Sequence, residues 1–177
     1  MKKLMIVALG CVVAAGAFAE AKPFQASLTP DVAIHSKDTR INGVALSIWG
    51  ENPQSAFALG FVNGSSGDSK GLSLGLVNYA ENYSGVTLGT VNYASGNFIG
   101  AQLGFVNSAE NMKGLQWGCV NHAGALNGLQ LGFVNYAKTA TDGIQIGFVN
   151  IMDETEKCFS GFPGELAPAM VFVNWRL

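Results

Sequence analysis

The chain has 177 residues, 12 acidic against 10 basic side chains, 23 glycines and a hydrophobic content of 49%. With only 12% charged residues it is too apolar for a disordered chain, and it is too short for several large domains. The near-neutral balance gives no basic patch, which argues against nucleic acid as a partner.

Residues 1–19 read as a secretory signal peptide. Met1-Lys2-Lys3 is a short positive start, Leu4 to Phe18 is an uncharged apolar run, and Ala17-Phe18-Ala19 has the small-x-small form of a cleavage site. The run is short for a membrane-spanning helix. Residues 20–55 then form an N-terminal cap segment. Pro23 and Pro30 interrupt it, Val32 and Ile34 alternate with Ala33 and His35 as a short strand, and residues 36–40 read as a polar turn. His35 has no neighbouring partner in sequence and reads as a surface histidine. Within this segment Gly43-Val44-Ala45-Leu46 begins a degenerate copy of the unit repeated in residues 56–150, with Ser47 in place of a glycine and Trp49-Gly50 in place of Val-Asn.

Residues 56–150 are a tandem repeat. The unit is clearest at Gly128-Leu129-Gln130-Leu131-Gly132-Phe133-Val134-Asn135. Its copies end at Asn63, Asn78, Asn92, Asn107, Asn121, Asn135 and Asn150, always 14 or 15 residues apart. Alternation predicts strands, with Leu129, Leu131 and Phe133 on one face and Gln130 on the other. Two glycines and a β-branched Val in every eight residues oppose helix. Every charge in this region, from Asp68 to Asp142, sits in a spacer between units, beside turn-forming Gly, Ser and Asn. Residues 151–177 form a C-terminal cap, with a charged run at 153–157 and a final strand from Met170.

Near-identical short repeats favour an all-β, tandem-repeat parallel β-solenoid. In that fold the apolar column is expected inside, and the seven Asn residues form a structural ladder of stacked amides. The alternative is an antiparallel up-and-down β-barrel of outer-membrane type, with the Leu and Phe column facing lipid. Its uncharged core of eight residues is slightly short for a span, and it leaves the Asn column unexplained.

The repeats resemble a family of bacterial exported surface-repeat proteins built on Gly-Leu-Gln-Leu-Gly-Leu-Val-Asn units. The likeness covers most of the chain after the signal segment. Ser27-Leu28-Thr29-Pro30 with Asn42 to Ile48, and Phe162-Pro163 through Val173-Asn174-Trp175, are similar to the family's flanking segments. Ala56, Thr90, Cys119 and the 153–157 run depart from it. The resemblance implies an exported repeat protein. It implies no reaction, and no functional residue is carried over.

The residues themselves predict no enzyme, cofactor or metal site. Cys119, Cys158, His35 and His122 lack metal-ligand spacing. Gly67-Asp68-Ser69 has no matching Asp-x-x-His block and reads as a turn. Export would permit a Cys119–Cys158 disulfide, but Cys119 replaces the Phe of four other copies and reads as a buried small apolar side chain. Two columns are candidates for contact with a protein or glycan partner. One is Tyr79, Tyr93, His122 and Tyr136; the other is Gln102, Gln116, Gln130 and Gln145. In the plainer reading the Gln row keeps an outer face soluble and the Tyr row packs at a turn. The sequence therefore predicts an exported, non-enzymatic protein of the periplasm, outer membrane or cell surface, with a structural or interaction role. A small membrane barrel acting as pore or anchor is the alternative.

Overall fold

The computed structural model describes residues 21–154 and 163–177. The signal segment, Cys158 and Thr155 to Lys157 lie outside the described residues. Seven strands run in chain order: β1 (Lys22–Thr29), β2 (Val32–Ala33), β3 (Ile41–Glu51), β4 (Phe57–Leu74), β5 (Val77–Trp117), β6 (Val120–Met152) and β7 (Ala169–Arg176). They lie in the order β2-β1-β3-β4-β5-β6-β7. The chain is a parallel β-solenoid, one repeat per coil. Asn63 pairs with Asn78, Gly71 with Gly85, Asn107 with Asn121, and Gln116 with Gln130. Because β3 to β6 pair in parallel, the antiparallel barrel is overturned. The degenerate copy is a coil of its own, with Leu46 on Leu59, Ser47 on Gly60 and Gly50 on Asn63.

Two devices bend the coils. In the units that begin at Gly71, Gly85, Gly100, Gly114 and Gly128 the first glycine turns a corner in the left-handed region, with φ of 141° at Gly128 and 129° at Gly114. A Cβ on Gly128 would also collide with the carbonyl oxygen of Gly114 in the coil before, so only glycine fits. The second bend lies just before the Asn. The amides of Phe133 and Val134 both donate to the carbonyl of Cys119, and those of Thr90 and Val91 both donate to that of Leu76. Two successive residues thus oppose one, as in a β-bulge, and the facing of all later side chains is shifted by one.

That shift reverses the expected interior. On unbroken alternation Asn135 would share a face with Leu129, Leu131 and Phe133. After the bend it shares the inside with Gln130. Gln102, Gln116, Gln130 and Gln145 are fully buried, as are the Asn residues from Asn92 to Asn150. The Leu and Phe column faces outward, with Phe133 65% and Leu88 50% exposed. The expectation of an apolar interior column is therefore corrected, and so is the placing of the Gln row on an outer face. Cys119 lies on the outward column and is half-buried rather than buried.

The inside is a pair of amide ladders beside a slim apolar column. Ser47 Oγ donates to Asn63 Oδ1 at 3.1 Å. From there each Asn Nδ2 donates to the Oδ1 of the next coil, six times between Asn63 and Asn150, at 2.8–3.0 Å. Asn150 Nδ2 ends the chain of bonds on the carbonyls of Gly147 and Met170. The Gln ladder runs the other way: Gln145 donates to Gln130, Gln130 to Gln116, and Gln116 to Gln102, at 2.7–2.8 Å. The two rows of amide dipoles oppose each other. The glycine two places after Gln makes room for the Asn ladder, since a Cβ on Gly132 would sit against Asn121 Nδ2 and collide with backbone.

The apolar column comes from the spacers: Tyr83, Phe98, Met112 and Leu126, backed by Ala80, Ala94, Ala109, Ala123 and Ala137. Tyr83 and Phe98 stack at 5.7 Å. Side-chain volume is shared between columns. Short Ser73 and Thr87 stand in the Gln column where Tyr83 and Phe98 fill the core, and full-length Gln116 and Gln130 stand where Leu126 and Ala140 do. That trade keeps a narrow interior close-packed.

Both ends are covered. The loop after β2 crosses the first coils, held by Gln25 Nε2 on His35 O and by Asn52 Nδ2 on the carbonyls of Ser36 and Thr39. At the far end β7 runs antiparallel to the last coil, placing Ile144 opposite Trp175 and Ile146 opposite Val173. Such edge covers stop a parallel stack from templating further strands.

Candidate functional site: an apolar sheet face

The outward positions of each unit form three columns. In the best-conforming coil they are Leu129, Leu131 and Phe133; in others they are Phe57, Leu59 and Phe61, or Ile144, Ile146 and Phe148. Parallel in-register pairing puts like on like, so each column runs along the solenoid axis. The first two coils continue them through Leu46, Ile48 and Leu28. Only Thr90 and Cys119 interrupt the aromatic and aliphatic side chains of the outermost column between Phe61 and Phe148. Among the described residues no charged side chain enters the face.

These side chains are far out of the protein. Phe61 is 60% exposed, Phe105 59%, Trp117 62%, Phe133 65% and Phe148 58%. Phe133 and Phe148 stack at 5.3 Å, and Phe148 meets Phe172 edge-on. Between the Leu/Trp column and the Phe column runs a groove of about 750 Å³, floored by Gly89, Gly104, Gly118 and Gly132. The inward glycines leave backbone at the bottom and apolar ridges on either side.

The tyrosine and histidine column is a second surface, just past the Asn ladder. Parallel pairing aligns Gly64 with Tyr79 and Ser108 with His122. The Tyr79 hydroxyl donates to Glu51 Oε2 at 2.6 Å and accepts from Trp49 Nε1 at 3.2 Å. Gly64 is required beneath it, because a Cβ there would strike the Tyr79 ring. Burial, then the bond to Glu51, raises the Tyr79 phenol above its ordinary value. His122 stacks on Tyr136 at 5.3 Å with its Nδ1 3.1 Å from Ser108 Oγ, and the Tyr136 hydroxyl donates to Asp153 Oδ2 at 2.7 Å. That hydrogen bond is the first cause of the raised Tyr136 pKa. The His122 and Tyr136 rings cover one another's faces, so a flat sugar ring has no open platform between them. Tyr93 is half exposed and stands apart from these bonds.

The sequence-derived candidates therefore divide. The Asn and Gln columns are interior scaffolding, the Tyr column is at the surface and tied at both ends by carboxylates, and the Leu and Phe face is an open apolar surface. Among the described residues no group of three His, Cys, Asp or Glu side chains converges on a point. No protein-family model, curated protein or solved structure matches the chain.

Proposed function

We propose that this is an exported, non-enzymatic interaction protein whose working surface is the apolar sheet face. The solenoid acts as a ruler that repeats one contact unit along its length, and the two amide ladders hold that surface flat. The observation that carries this reading is the face itself, charge-free over nine stacked strand segments and studded with aromatic side chains about 60% exposed. Monomeric soluble proteins rarely expose contiguous apolar patches beyond a few hundred Å², and larger ones mark interaction surfaces. Export is supported by the positive, apolar and small-x-small order of residues 1–19.

Fractionation of the producing cell tests this. The native protein is expected in an envelope-associated or assembled fraction. A Phe105→Glu/Phe133→Glu variant, altered only on the outward column, is expected to move to the freely soluble exported fraction. Identical distribution of the two would remove the face from the function.

A further inference from the structure

We infer that the occupant of the apolar face is a second copy of this chain, packed face to face across a two-fold axis. The inference rests on the reading of that face as the working surface and specifies what it binds. Three features point to self-pairing.

The first is area. Eight strand spacings of about 4.8 Å make the face about 38 Å long. Five of its exposed aromatic side chains, Phe61, Phe105, Trp117, Phe133 and Phe148, alone offer on the order of 600 Å², given the 150–250 Å² of a whole aromatic side chain. The Leu and Ile columns carry the total past the roughly 800 Å² per partner of a stable interface.

The second is shape. The face is a sheet with straight ridges and a groove of about 750 Å³ between them. Another sheet of the same kind is its natural complement, because aligned sheets pack about 10 Å apart with interdigitating side chains. With a two-fold axis lying between the two faces and parallel to the ridges, the Phe ridge of each copy lies along the groove of the other. Such an isologous contact closes after two copies.

The third is charge. The face has none, so no like-charge pair opposes self-association. The spacers between residues 56 and 150 carry Lys70, Lys113 and Lys138 against Asp68, Glu81, Glu110 and Asp142. Three positive against four negative charges give no basic excess to hold an anionic lipid surface.

The test uses the protein purified after export and processing by its host. Its mass is measured by light scattering and sedimentation at micromolar concentration in detergent-free buffer. The same samples are floated with phosphatidylcholine vesicles, and alkylation of Cys119 is followed in a Cys158→Ser background. The expected result is twice the chain mass, no flotation and a Cys119 thiol protected from alkylation. The Phe105→Glu/Phe133→Glu variant, and separately Leu103→Lys, should give the monomer mass, an unchanged far-ultraviolet β signal and at least tenfold faster Cys119 alkylation. A monomeric native protein that floats with the vesicles, while the variant does not, would overturn self-pairing and keep the face as a lipid-docking surface. A dimer that both variants leave intact would place the contact elsewhere and overturn the inference. Native protein and variants that are all monomeric and all fail to float would overturn both readings.

Discussion

Replacing Asn121 with Ala strikes the middle of the Asn ladder. Asn121 is fully buried and takes part in three hydrogen bonds: it donates to Asn135 Oδ1 at 2.8 Å and to Leu131 O at 2.9 Å, and it accepts from Asn107 Nδ2 at 2.9 Å. Leu131 O keeps a second donor, the amide of Gly118. Asn135 Oδ1 and one proton of Asn107 Nδ2 are left without the partner that served them. Two buried polar groups, each costing roughly 1–3 kcal/mol when unsatisfied, put the loss at about 2–6 kcal/mol. Lys113 is exposed, and Lys113→Ala is expected to stay within about 0.5 kcal/mol. Urea unfolding followed by far-ultraviolet circular dichroism measures both. Because coils touch only their neighbours, the Asn121 variant is also expected to lose hydrogen-exchange protection first in the coils around residues 107–135. A destabilisation no larger than that of Lys113→Ala would mean that the ladder carries no net energy.

Three further outcomes concern single positions. Gly128→Ala forces a Cβ into a φ of 141° and onto the Gly114 carbonyl, and is expected to cost about 3 kcal/mol or to prevent folding, read as a lowered urea midpoint or lost yield. Tyr83→Phe removes a buried hydroxyl that has no partner and keeps the ring on Phe98, so it should stabilise by about 1 kcal/mol in the same assay. Burial pushes the Tyr83 phenol well above its ordinary value of about 10. Its neutral form is favoured in the fold, so its contribution is full below the unfolded value and is lost as pH rises from there toward the folded value. Stability should therefore fall above about pH 10, by at most about 1.4 kcal/mol per pH unit for this group, and Tyr83→Phe should flatten that fall. An equal alkaline slope in the two proteins would count against the buried phenol.

Much of the architecture was legible in the residues. The 14- or 15-residue spacing, the confinement of charge to spacers and the recurrent Asn together led to stacked parallel coils, and Ser47-Ile48-Trp49-Gly50 was readable as a variant unit. What escaped was which side faces in. Alternation divides a strand into two faces without naming the inner one, and the ordinary rule puts Leu and Phe inside. One bend, at Phe133-Val134 and its equivalents, exchanges the faces between Gln130 and Asn135. A signal was present in the third position of the unit. It holds Ala58, Ser73, Thr87 and then Gln four times, never Lys, Glu or Arg, which a solvent-facing row would admit. A second signal lay in the spacers, where Tyr83, Phe98, Met112 and Leu126 each come five or six residues after an Asn. They looked like variable turn residues, yet they fill the core. Tyr79 and Tyr136 were readable as members of one column just past the Asn, but their ties to Glu51 and Asp153 come from separate coils and caps, which no local pattern brings together.

The inward amides and outward Leu and Phe columns form one claim, and side-chain hydrogen exchange tests it most directly. In nuclear magnetic resonance spectra recorded after transfer to D2O, the side-chain NH2 signals of Gln116 and Gln130 and of Asn107, Asn121 and Asn135 are expected to persist alongside the backbone amides of their strands. Loss of the Gln side-chain signals within the dead time, while those backbone amides remain, would put the Gln column in solvent and contradict the account.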